Sequence, residues 1–209
     1  MNNVGRTLII ALVLLGTLLW TSSPALADSA TYTETTVASG SLGGASFSDA
    51  LVTITLLGDT STSTTDPFLG ALEVFGPATV TVEGIGTASF TDSLAVFDNQ
   101  PYGVAGIFDS SVGAIGLDVL DTTDPAFGTY DLTTNIGPIT DSSLFNPDDG
   151  SCSACFATTD GNFALTSTSG TSTFSASTAV PEPSSLFLLG VGLSGLFLAR
   201  RKKALSATA

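Results

Sequence analysis

Cys152-Ser153-Ala154-Cys155 places two thiols at the spacing of a redox pair, half a zinc site or a local disulfide. A redox pair wants its reactive thiol at a helix N-terminus, yet Phe145-Asn146-Pro147-Asp148-Asp149-Gly150, just before it, reads as loop. Zinc would need further sulfur or nitrogen ligands, and the chain has no other cysteine and no histidine. The spacing is therefore read as a disulfide that pins the loop, too short a closure to remove much unfolded-state entropy. Beside it, Asn146, Asp148 and Asp149 offer oxygens next to a glycine turn. Ca2+ takes about six to eight such oxygens. The segment lacks the full D-x-D-x-D-G spacing and the later bidentate acid, so a solvated acidic turn competes with a calcium loop. No other cofactor is expected.

The charges exclude more than they nominate. Arg6, Arg200, Arg201, Lys202 and Lys203 are the five basic residues, and 18 of the 19 acids lie between Asp28 and Asp160. No cation stands between Thr7 and Ala199 to neutralise phosphates, which argues against a nucleic-acid partner. Without histidine, no Ser-His-Asp or Cys-His arrangement can form. A carboxylate pair for glycoside hydrolysis could be assembled from so many acids, but the aromatic platform such enzymes use is thin: Tyr32, Tyr102 and Tyr130, with the one Trp at position 20. No pair is nominated, and no enzyme activity is expected. No salt bridge can form in this stretch either. Its carboxylates are expected to stay apart on the surface or to hold bound cations.

The elements that must carry these residues read as strands. Thr, Ser, Gly, Val and Phe dominate residues 28–179, a composition that favours strands and turns. Leu51–Leu57, Ala78–Glu83, Thr87–Thr91, Leu94–Phe97, Val104–Phe108 and Ala114–Leu120 read as short strands, most of them alternating or β-branched; Thr31–Val37 alternates less clearly. Phe163–Thr168 and Thr171–Ser175 flank Ser169-Gly170, which predicts a two-residue hairpin loop. Roughly eight to ten strands over about 150 residues predict one all-β unit, an antiparallel sandwich or jelly roll. Thr64-Thr65-Asp66-Pro67-Phe68-Leu69-Gly70 is echoed by Thr122-Thr123-Asp124-Pro125-Ala126-Phe127-Gly128. Two similar turns are expected there, since Asp-Pro initiates turns.

Both ends of the chain read as addresses. Arg6 followed by an apolar run from Leu8 to Trp20 and the small-x-small site Ala25-Leu26-Ala27 predicts a signal peptide over 1–27, cut before Asp28. At the other end, Pro181-Glu182-Pro183 precedes an apolar run from Ser184 to Ala199, and Arg200-Arg201-Lys202-Lys203 closes it. Helical, that run would be roughly 24 Å long at about 1.5 Å per residue, a minimal membrane span against a hydrocarbon core of about 30 Å. The four cations stop transfer and stay on the cytoplasmic side, with residues 204–209 as a cytoplasmic tail.

The ordered trio of motif, apolar helix and basic cluster at 180–203 resembles the PEP-CTERM sorting signal of Gram-negative bacteria, the tail recognised by exosortases. The resemblance covers only this tail. It implies an exosortase as partner, membrane tethering of the precursor through the C-terminal helix, and a final place at the cell surface or outside the cell, amid exopolysaccharide. For residues 28–179 two readings stand: a non-catalytic surface or matrix protein, or a module that holds Ca2+ or glycan through acidic loops. A glycoside-acting enzyme is a distant third.

Overall fold

Tyr32, Glu34 and Thr36 share one parity along the chain, as do Val52, Ile54 and Leu56, and each set points to the same interior. Period-2 alternation of this kind builds a sheet with one face buried. The computed structural model describes residues 29–112 and 116–179. Among them run β1 (Ser29–Leu42), β2 (Ala45–Asp59), β3 (Thr64–Thr65), β4 (Leu72–Phe75), β5 (Ala78–Val82) and β6 (Gly86–Ser89). β7 (Leu94–Asn99), β8 (Val104–Asp109), β9 (Leu117–Thr123), β10 (Ile136–Leu144), β11 (Phe156–Thr158) and β12 (Gly161–Thr178) follow. Short 3₁₀ turns occupy Thr60–Thr62, Gln100–Tyr102 and Pro125–Thr129. The signal segment with Ala25 and Ala27, the Pro181-Glu182-Pro183 motif, the apolar run and the cluster Arg200, Arg201, Lys202 and Lys203 lie outside the described residues. Among the described residues no helix is long and apolar enough to cross a membrane.

All strands pair antiparallel in one 12-stranded sheet of order β3-β4-β7-β8-β9-β10-β12-β1-β2-β5-β6, with β11 also on β12. The sheet curls far enough to meet itself. Thr91 N donates to Ala157 O at 2.9 Å and Thr159 N to Ser89 O at 2.8 Å, tying the end of β6 to β11. The circuit β12-β1-β2-β5-β6-β11 is thereby closed, which removes free edges there. The fold is thus all-β and antiparallel, as the composition predicted, with the opposed layers drawn from one curled sheet.

The core is built where inner faces meet. Phe174 of β12 packs edge-on against Phe127 at 5.4 Å and against Tyr130 at 6.1 Å between ring centroids. Phe90 meets Phe163 in the same way at 5.9 Å. Each such ring contributes roughly 1.5–3 kcal/mol by burial and each edge-to-face pair about 0.5–1.5 kcal/mol more.

Two local expectations are corrected, and one strand lies where none was expected. Ser169-Gly170 is not a hairpin loop: β12 runs through it from Gly161 to Thr178. β1 stays paired on both sides, Thr36 with Ser172 and Ala38 with Thr168, so the extra residues form a bulge with Gly170 at φ 87°. A bulge bends a strand without ending it. β9 extends to Thr123, taking in the Thr122-Thr123 that the Asp-Pro echo suggested was turn. β10 was not foreseen, because Gly137, Pro138 and Asp141 break any apolar alternation; it is held by its pairing with β12 and β9.

Candidate functional site: carboxyls in the core and a sorting tail

The nominated loop residues are engaged only in part, since the buried Oδ1 of Asp148 has no partner. Cys152 and Cys155 form a disulfide, and Asn162 Nδ2 lies 3.1 Å from Cys152 Sγ. Asn146 turns its amide toward Asp118 O, donating at 3.1 Å. Asp148 N donates to Leu165 O at 2.8 Å. Asp149 Oδ1 accepts from Ser151 N at 2.9 Å, and hydrogen bonds from the Ser151 hydroxyl and amide hold its carboxyl below the ordinary range. Among the described residues, no group of three or more His, Cys, Asp or Glu side chains is placed to share a metal ion.

The chemistry that the sequence reading missed is inside. Carboxylates were expected at the surface, yet Glu34 and Asp98 are 0% exposed, Asp109 1% and Asp121 2%. Their strands force this. Glu34 has the inward parity of Tyr32 on β1, and Asp98 that of Leu94 and Val96 on β7. β9 is buried on both faces, from Val119 through Thr122. Asp109 turns its carboxyl onto Ser111, accepting from N at 2.8 Å and Oγ at 2.6 Å. The other three have no such arrangement, and residues 29–179 contain no cation at all.

The hydroxyl contacts of Glu34 are filled most completely by its protonated form. Four oxygens stand in a row: Glu34 Oε1 is 2.5 Å from Thr122 Oγ1, which is 2.7 Å from Ser172 Oγ, which is 2.8 Å from the carbonyl of Asp121. Thr122 and Ser172 bring one hydrogen each, and the carbonyl brings none. Were Glu34 ionised, Thr122 would donate to it and Ser172 to Asp121 O, leaving the Thr122–Ser172 contact without a hydrogen. With the acid protonated, Glu34 donates to Thr122, Thr122 to Ser172 and Ser172 to Asp121 O, and every contact is filled. Glu34 Oε2 has no partner and no solvent contact, a tolerable state for a carbonyl oxygen and a costly one for a charge.

Electrostatics point the same way. Burial raises the pKa of Glu34 well above its ordinary value, against the opposing hydrogen bonds of Thr122 and Ser172. Burial raises Asp121 likewise, and the charges of Asp118 and Glu34 add to it. Asp98 is pushed to about 7, by burial first and then by the charge of Asp131; neither of its oxygens has a partner. Desolvation disfavours the charged form, and residues 29–179 hold no cation to offset it. Asp121 also requires its neighbour across the ladder to be glycine. A Cβ on Gly106 would run into Asp121 Oδ1, and would stand 2.6 Å from both Asp121 Cα and Leu120 O.

These acids belong to the core, and their unpartnered oxygens are sealed from solvent. The available sequence signal was parity: Ala30, Tyr32, Glu34 and Thr36 alternate inward together. No curated protein and no solved structure matches the chain. The tail is matched instead by a family model: residues 179–202 carry the PEP-CTERM protein-sorting motif.

Proposed function

We propose that this chain is an exported, exosortase-processed protein of the cell surface or extracellular matrix, associated with exopolysaccharide and without catalytic activity. The sorting motif at 179–202 carries the reading. A C-terminal sorting motif makes residues 28–179 a passenger, delivered outside and then freed from or fixed to its tether. The passenger's make-up supports a structural role. It has no histidine and no cation, and its buried acids hold no solvent-facing nucleophile or base. A surface rich in Asp, Thr and Ser keeps such a polyanion soluble amid polymer. We further propose the organisation into a signal peptide at 1–27, a β domain at 28–179, the sorting signal at 180–203 and a cytoplasmic tail at 204–209.

The test is processing. In a host with an exosortase, the mature protein's mass is expected to correspond to a chain starting at Asp28 and ending near Pro181-Glu182-Pro183. In a host without one, the tail is retained. Replacing Glu182 and Pro183 is expected to leave a membrane-held precursor; normal trimming of that variant would reduce the tail to a plain anchor.

A further inference from the structure

Two of the 3₁₀ turns lie side by side and leave a hollow between them. Gly103, in the left-handed region at φ 62°, ends the first turn and donates its N–H back to Gln100 O at 3.2 Å. Its carbonyl accepts from Asp124 N at 2.8 Å, locking the first turn to the start of the second. The hollow has a volume of about 310 Å³ and is lined in part by Tyr102, Pro101, Pro125, Gln100 and Asp124. That is near the lower end of small-molecule sites, about 300–1,000 Å³.

Tyr102 is 74% exposed, although it stands on this fixed turn. Tyr32 and Tyr130, in contrast, are buried and donate their hydroxyls to carbonyls. The polar groups around Tyr102 leave acceptors free. Gln100 spends its Nε2 on Tyr130 O at 2.6 Å, which leaves Oε1. Asp124 spends Oδ1 on Ala126 N at 2.7 Å, which leaves Oδ2. The lining residues include no cation.

We infer that this hollow is a subsite for a neutral saccharide, with a sugar's C–H face stacked on Tyr102 and its hydroxyls donating to Gln100 and Asp124. The chemistry selects that class. A ring with hydroxyl donors on its edge and an apolar face matches acceptors beside an aromatic and two prolines. An acidic sugar or a phosphate would meet Asp124 and a net negative body with nothing to neutralise it. The inference deepens the exopolysaccharide reading and rests on it for its setting.

The test is native affinity electrophoresis of the purified exported protein at low ionic strength, where the repulsion of an acidic polymer is least screened. Gels contain a galactomannan, a mixed-linkage β-glucan or a dextran, with alginate as the acidic polymer. Retardation by at least one neutral polymer and not by alginate is expected. Tyr102→Ala is expected to weaken it about tenfold or more, while Tyr102→Phe and Phe68→Ala keep it. Phe68 is as exposed, at 73%, but stands outside the hollow. No retardation by any of the three neutral polymers, retardation by alginate alone, or equal retardation of Tyr102→Ala would each overturn the subsite. The mature mass reads the sorting proposal separately, so failure in the gels leaves that proposal standing, and failure of processing leaves the gel result interpretable.

Discussion

Two populations of carboxyl groups divide this molecule. Asp59, Asp66, Asp124, Asp131 and Asp149 stand at turns, and each accepts the backbone N–H two residues on, at 2.7–2.9 Å. Glu34, Asp98 and Asp121 stand inside the sheet with at least one oxygen that meets neither partner nor water. In the first set, Asp131 and Asp149 have lowered pKa values. For Asp131, burial alone would raise the pKa, but hydrogen bonds from Thr133 and Thr134 outweigh it and the net shift is down. The second set cannot use its charge, and its pKa values move up. The same functional group thus organises turns in one place and fills the core in another. What decides between the roles is whether a backbone amide is within reach, because no cation is.

The sharpest way to break this comparison is pH. A group with a raised folded pKa gives stability that is fully present below its unfolded pKa and lost as pH rises through the folded one. For Asp98 that loss runs from about pH 4, its ordinary range, to its folded value of about 7. Glu34 and Asp121 extend it upward. The turn acids run oppositely: Asp131 and Asp149 have lowered values, so their contribution is present above about pH 4 and is lost as pH falls through the folded value. Thermal melts are expected to peak near pH 4–5 and to fall towards pH 8, with a slope of about 1.4 kcal/mol per pH unit for each proton released on unfolding. A Tm that rises steadily from pH 4 to pH 8 would mean that the buried acids are ionised and compensated.

Next in size is Gly106→Ala. The added methyl group meets Asp121 and the β9 backbone, so a loss of about 1–3 kcal/mol is expected by chemical denaturation. A neutral outcome would show that Asp121 is free to swing out of the core.

Glu34→Gln sharpens the hydrogen count. The amide can donate to Thr122 as the protonated acid does, but it cannot ionise. Its stability relative to the parent is expected to shift in its favour as pH rises from about 4 to about 8. Equal destabilisation at both pH values would place a charge on Glu34.

The smallest expected effect belongs to the turn set. Asp124→Ala removes the acceptor for Ala126 N and should cost about 1 kcal/mol. Urea melts of the variant and the parent at pH 7 would show this.

The two Asp-Pro segments show what could be read and what could not. Both Asp66 and Asp124 cap their turns as their residue types predict. Yet Phe68 follows its proline directly and is 73% exposed, whereas Phe127 stands one residue later and is 0% exposed, packed on Phe174. A single residue of phase turns the ring outward or inward, and nothing local fixes that phase. The exposed Tyr102 was legible as an aromatic, but the hollow beside it comes from a second turn more than twenty residues away. The buried acids were legible in parity and hidden in chemistry: Glu34 follows the alternation of β1, but an acid between threonines looks like a surface residue.

By itself, the sequence determined the all-β class, the absence of ion pairs within residues 29–179 and the sorting tail. Those follow from composition, period-2 patterning and a contiguous motif, all of which are local. Tertiary structure alone decided that β12 bends through Ser169-Gly170, that β6 closes onto β11, that Asp98 and Asp121 sit in the core, and that Glu34 sits there beside hydroxyls from distant strands. Each depends on which strands become neighbours. In an antiparallel sheet that choice is made by the burial of whole faces, with pairings such as β1 on β12 spanning most of the described chain.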